Sequence, residues 1–78
     1  MPVNVKYFAS LRESLGQAES QCQVPETGCN VAELWLQLNP SRDIPDNVLV
    51  AINQNYASFD ARIMNGDEVA FFPPVTGG

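Results

Sequence analysis

Few residues of this chain could do chemistry by themselves. None of the 78 is histidine, which excludes Ser/His/Asp and Cys/His catalysis and histidine metal sites. Two cysteines, Cys22 and Cys29, are too few for a disulfide framework and, without histidine, for a structural zinc site. They are not spaced C-x-x-C as a redox pair would be, and they read as small buried or half-buried side chains. Asp67 and Glu68 are adjacent carboxylates on a turn signal and read as solvated charges, not as a general acid and base. No G-x-x-x-x-G-K-[ST] phosphate loop is present. What remains is the end, Pro73-Pro74-Val75-Thr76-Gly77-Gly78. Two prolines hold an exit stiff and extended, two glycines leave a tip without side chains, and such a stretch reaches about 20 Å. That is the shape of a probe for another protein's narrow active site. A terminal carboxylate, with a pKa near about 3.5, is ionised at neutral pH and is a poor electrophile. It must be activated, most simply as an acyl-adenylate. A terminal glycine leaves the carbonyl open to a nucleophile, lets the backbone run close to a nucleotide, and has no stereocentre to racemise. The activating groups are not in this sequence, so the chain reads as a substrate, carrier or subunit.

Composition narrows the partners. The chain is long enough for one small domain, whose core supplies only about 3–5 kcal/mol, so a partner is expected as an extra stabiliser. A hydrophobic fraction of 45% with 17% charged residues is a globular composition. Four Lys and Arg against nine Asp and Glu give a net charge of −5. Four cations do not make the basic face that nucleic acid requires, and an acidic surface suits a basic protein partner. The longest apolar run, Val48 to Ile52, is far below the roughly 20 residues of a membrane span. The opening MPVNVKYFAS has no signal-peptide pattern. The expectation is a cytoplasmic protein with no membrane, nucleic-acid or metal partner.

Turn signals cut the chain into short elements. Val3–Phe8 alternates and predicts a strand. Ser10 with Glu13 matches a capping box, Leu11 and Leu15 share a helical face, and Gly16 suits a left-handed cap, predicting a short helix over Ser10–Leu15. Ala18–Val24 alternates with Cys22 inward, a half-buried strand. A helix this short makes a poor parallel crossover, so the two strands are expected to pair antiparallel across a widened turn. Asn30 with Glu33 forms a second capping box, Cys29 and Leu34 have staple spacing, and Val31, Leu34, Trp35 and Leu38 make a core-facing helix that Pro40 ends. Trp35 reads as core, not as a ligand platform. Val48–Asn53 predicts a strand buried on both faces or partly covered by a partner. Asn53-Gln54-Asn55 predicts a turn, Tyr56–Phe59 a short edge strand, Asn65-Gly66-Asp67 a tight turn, and Glu68–Phe72 a last strand closed by the prolines. The order predicts an α+β, β-grasp (ubiquitin-like) domain over residues 1–72: a mixed sheet of about five strands, one main helix on one face and a short first helix. Residues 73–78 form an extended tail. The other sheet face has no second layer, and any apolar patch there calls for a partner.

The run Asn65 to Gly78, ending Phe71-Phe72-Pro73-Pro74-Val75-Thr76-Gly77-Gly78, closely resembles the C-terminus of the small, sulfur-carrier subunit of molybdopterin synthase. Val50-Ala51-Ile52-Asn53-Gln54 with Ser58-Phe59-Asp60, Tyr7-Phe8-Ala9 and Leu11-Arg12-Glu13 resemble the same family, while residues 17–47 match in pattern only. The resemblance implies the β-grasp fold and a carrier with no intrinsically bound cofactor. It implies that an adenylating enzyme of the ubiquitin-activating type consumes ATP at Gly78, and that a sulfur donor system then converts the adenylate to a thiocarboxylate. It implies docking on the large subunit of the synthase within a heterotetramer, where sulfur passes to cyclic pyranopterin monophosphate to build the molybdopterin dithiolene. Gly78 would carry the adenylate and then the sulfur, with Gly77 as the thin tip. Phe72, Pro73, Pro74, Val75 and Thr76 resemble the docking tail. Only one of Phe71 and Phe72 can face the core, and Phe72 with Phe8 is assigned to the partner face. Neither cysteine has a role in that chemistry. Two other readings share the Gly-Gly end: a related carrier for thiamine thiazole or tRNA thiolation, and a protein modifier joined through Gly78 to lysines.

Overall fold

The computed structural model describes residues 2–41, 43–44 and 47–73. Strand β1, Val3–Tyr7, alternates as its sequence requires, with Val3, Val5 and Tyr7 buried. Helix α1, Ala9–Leu15, follows at once and buries Leu11. It begins one residue before the expected start, and the Ser10–Glu13 capping box does not form, because the cap position is Phe8, with no side-chain cap bond. The cause is β-pairing. Phe8 N–H donates to Phe71 O at 3.1 Å, which fixes the chain at that point, and Phe8 O accepts from Leu11 N–H at 3.2 Å. Gly16 closes the helix at φ 73°, donating to Arg12 O as expected of a left-handed cap. Strand β2, Glu19–Cys22, is shorter than the alternating stretch and pairs antiparallel with β1, Val3 opposite Cys22 and Lys6 opposite Glu19.

Cys29–Asn30 forms a two-residue strand, β3, and leads directly into α2, Val31–Leu38. The second capping box is complete: Glu33 N–H donates to Asn30 Oδ1 at 2.8 Å and Asn30 N–H to Glu33 Oε1 at 2.9 Å. Val31, Leu34 and Trp35 are buried and Leu38 packs against the core. Strand β4, Leu49–Ile52, turns through Asn53 and Gln54, both at positive φ (50° and 70°), into the edge strand β5, Asn55–Ala57. This is the two-residue hairpin geometry whose twist matches the strands it joins. Strand β6, Arg62–Ile63, pairs with β3 in a separate two-stranded sheet that the sequence pattern does not announce. The tight turn at Asn65-Gly66-Asp67 is present, with Asp67 N–H donating to Met64 O at 3.1 Å. It joins β6 to β7, Glu68–Phe72, so its two strands belong to different sheets.

The main sheet has the order β2-β1-β7-β4-β5. The last strand is thus the middle one, parallel to β1 and antiparallel to β4. Both helices bury side chains in one cluster on one face of this sheet. Trp35 is its centre, edge-on to Phe71 at 5.1 Å and to Tyr7 at 6.4 Å, while Tyr7 and Phe59 stack on Phe71 at 6.0 and 6.4 Å. Such contacts contribute about 0.5–1.5 kcal/mol each beyond area burial.

Two glycines separate backbone conformation from crowding. Gly28 lies at φ +83°, and a Cβ there would stand 2.5 Å from Ile63 O and from Met64 Sδ. Gly16, at φ +73°, faces open space. Gly16→Ala should therefore cost only the left-handed backbone, about 1 kcal/mol. Gly28→Ala should cost at least about 2 kcal/mol, because it also parts β3 from β6. Urea midpoints of the two variants measure the difference; equal losses would contradict the close approach.

Candidate functional site

Alternation along β7 decides where the tail begins. Phe71 is 0% exposed in the aromatic cluster, and Phe72, the next residue, lies half-buried on the open face of the sheet. Phe72 meets Tyr56 of β5 at 5.8 Å, ring to ring. Leu49 is the register partner of Phe72, and its side chain is 40% exposed. Val48–Asn53 is therefore not buried on both faces. Val50 and Ile52 point to the core, whereas Leu49 and Ala51 line the open face, because no helix covers that side of β4 among the described residues. Phe8, one residue past β1, is 47% exposed and tied to the same level by its bond to Phe71 O.

The open face is thus graded. At the end where β7 leaves the sheet stand Phe8, Phe72 and Leu49. The next level holds Glu19, Lys6, Ala70, Ala51 and Tyr56, in register from β2 to β5. The far level is polar, with Gln21, Asn4 and Glu68. Gln21 Nε2 donates to Asn4 Oδ1 at 2.9 Å, and Lys6 Nζ pairs with Glu68 Oε1 at 2.9 Å. The hydrogen bond and charge of Glu68 raise the Lys6 pKa, and Glu19 adds to the effect.

Asp67 and Glu68 are more committed than solvated charges. Asp67 accepts from Met64 N–H at 2.9 Å and from Asn53 Nδ2 at 3.1 Å, and Glu68 holds Lys6. Each carboxylate has a structural partner of its own, and they do not form an acid/base couple. Cys22 and Cys29 are both buried free thiols. Burial pushes both pKa values up, with Glu33 adding to the effect at Cys29. Such thiols are poor nucleophiles. Among the described residues no group of three His, Cys, Asp or Glu could hold a metal ion, and no helix is long and apolar enough to cross a membrane.

Of the tail residues singled out in the sequence, Phe72 and Pro73 are described, and Pro74, Val75, Thr76, Gly77 and Gly78 lie outside the described residues. Tyr56, 80% exposed, and Leu49 belong to the same apolar surface and were not singled out. Alternation within Leu49–Ile52, together with the register across the Asn53-Gln54 turn, is the signal that finds them.

A mixed five-stranded sheet with its last strand central, two helices on one face and the other face open defines the ubiquitin-like β-grasp class, as the element order predicts. The chain belongs to the ThiS family, which it matches over residues 5–78. It is 38% identical to the molybdopterin synthase sulfur carrier subunit of Haemophilus influenzae, over 97% of this chain and 99% of that protein. It is 35% identical to the subunit of the same name from Escherichia coli, again over 97% and 99%. Among solved structures, SAMP1 of Haloferax volcanii superposes with a TM-score of 0.78 at 28% identity, covering 100% of both chains.

The buried groups set an alkaline limit on the fold. Burial raises the Tyr7 pKa above 10.0, with the Asn39 side chain offsetting part of the rise, and both thiols are raised above 9.0. A raised folded-state pKa gives stability that is complete below the unfolded value and is lost as pH climbs through the folded one. The urea midpoint should hold level to about pH 8.5 and fall from there to pH 11. Cys22→Ser with Cys29→Ser should flatten the first part of that fall and leave the Tyr7 part. A midpoint that rises across this window would contradict the assignment.

Proposed function

We propose that this chain is the sulfur carrier subunit of a molybdopterin synthase. The observation that carries the reading is near-full-length identity of 38% and 35% to two proteins of that name. In this reading an adenylating enzyme of the ubiquitin-activating type uses ATP to adenylate the Gly78 carboxylate. A sulfur donor system in the cytoplasm then replaces the adenylate, leaving a thiocarboxylate. The loaded carrier docks on the large subunit of the synthase in a heterotetramer and passes its sulfur to cyclic pyranopterin monophosphate, forming the dithiolene.

What the domain itself contributes is placement. The tail leaves from the middle strand, so load on the tail is met by hydrogen bonds on both sides of β7. Phe8, Phe72, Leu49 and Tyr56 surround that exit with apolar surface. A partner that covers this patch therefore receives the tail at the centre of its contact. Both cysteines are buried and Asp67 and Glu68 are held by structural partners, which supports a reading in which the partner proteins supply the reacting groups. The likeness to SAMP1, named a small archaeal modifier protein, favours a second reading in which Gly78 ends in an isopeptide bond to lysine instead of carrying sulfur.

Two variants separate the chemistry from the docking. Removing Gly78 should abolish sulfur transfer while leaving the urea midpoint and the affinity for the large subunit close to wild type, because a terminal glycine has no side chain to pack. Phe72→Ala should still accept sulfur but bind the large subunit at least about tenfold more weakly. Reconstituted synthase activity and calorimetric titration check both. Activity retained without Gly78 would contradict the terminal chemistry.

A further inference from the structure

Lysine is nearly absent from this chain. Lys6 is the only one in the sequence, and the sheet carries it onto the open face, one register level from the strand end where the tail departs. Its side chain is 41% exposed, so a reactant can reach it. It stands beside a shallow groove of about 520 Å³ lined by Asn4, Glu19, Ser20, Gln21 and Glu68. Among these, the titratable groups facing its amine are Glu68 on β7 and Glu19 on β2. A Gly-Gly end has no side chains to obstruct entry into such a groove. A chain whose own terminus is made electrophilic is at risk from its own amines, and here the structure leaves one side-chain amine to consider.

We propose that Lys6 is the side-chain site at which one activated copy of this chain acylates another, that Glu68 restrains the reaction, and that docking of a partner on the open face closes it. The proposal rests on activation of Gly78 as set out above. In the step, the ammonium of Lys6 first gives a proton to solvent. Its lone pair then attacks the activated Gly78 carbonyl of a second copy, a C–N bond forms, and the bond to the leaving group breaks with its electron pair. For the acyl-adenylate, made from ATP by the adenylating enzyme, the leaving group is AMP. For a thioester it is the thiol. Glu68 opposes the first event, because its carboxylate holds the ammonium form in a 2.9 Å ion pair. A partner lying across Phe72 and Tyr56 would cover Lys6, which shares the level of Ala70, Ala51 and Tyr56. The activated, undocked carrier is thus the form that can be lost to self-conjugation.

The test uses the full chain prepared with a C-terminal thioester at Gly78, which needs no activating enzyme, alongside a second arm with the adenylating enzyme and ATP. Intact mass spectrometry and peptide mapping follow the conjugate at pH 8. The expected product is a dimer joined from Gly78 to Lys6, absent from Lys6→Arg and formed about two- to fivefold faster by Glu68→Gln, the range set by an exposed ion pair. An excess of the large synthase subunit should suppress it. Folded Lys6→Arg that still forms the dimer, or Glu68→Gln that reacts no faster than wild type, overturns the assignment. Conjugate in the thioester arm with no pyrophosphate released in the enzyme arm would sustain Lys6 as the acceptor and contradict activation of Gly78.

Discussion

The parallel pairing of β7 with β1, from Asn4 opposite Glu68 to Tyr7 opposite Phe71, is the constraint on which the rest of the molecule depends. Side chains alternate along a strand, so a slip of one residue would exchange Phe71 for Phe72. The register admits one arrangement in which the aromatic ring of Phe71 meets Trp35 and Tyr7, and the same arrangement puts Phe72 outside. Packing inside the core and the apolar patch outside it are therefore two consequences of one set of backbone hydrogen bonds. Helix α1 also starts where it does because this pairing holds Phe8.

Placing the last strand in the middle of the sheet has a mechanical result. An edge strand frays when its end is pulled, because only one neighbour holds it. Here β7 is held by β1 and by β4, and its inward side chains Val69 and Phe71 are fully buried. The Asn53 side chain accepts from Glu68 N–H at 3.0 Å and donates to Asp67, tying the start of β7 to the β4–β5 turn. A small domain with a modest core has thus concentrated its order in the strand that bears the tail. Among the described residues its other sheet face stays uncovered, apolar around the end of β7 and polar beyond Lys6.

Local signals in the sequence hold where the structure is local. Helix α2 is announced by Asn30, Glu33 and the Val31-Leu34-Trp35 stripe, and all of these act as their types predict. Where a distant strand decides, local signals mislead. Ser10 and Glu13 have capping-box spacing, yet pairing to Phe71 moves the cap to Phe8. Val48–Asn53 reads as buried on both faces or partly covered by a partner, and the structure removes the first option, because half of its side chains face the open side of the sheet. The β3–β6 pair joins residues over thirty positions apart through two-residue strands, too short to leave a pattern. The open apolar face was half legible: the exposure of Phe8 and Phe72 follows from alternation, whereas Tyr56 and Leu49 reach that face only through sheet register. The chemistry proposed for the Gly-Gly end rests on residue types alone, since Gly77 and Gly78 lie outside the described residues.

The central claim is that sulfur travels on the terminal carbonyl of Gly78 and not on a side chain. Buried thiols with raised pKa values at Cys22 and Cys29 and an apolar collar around the strand that bears the tail are consistent with it. The most direct measurement is the intact mass of the chain after incubation with its adenylating enzyme, a sulfur donor and ATP, with fragmentation to locate the change. One oxygen replaced by sulfur at Gly78, in wild type and in the double cysteine-to-serine variant alike, is the predicted result. An unchanged terminus, sulfur found on a cysteine, or lysine conjugates in place of a thiocarboxylate would contradict the account.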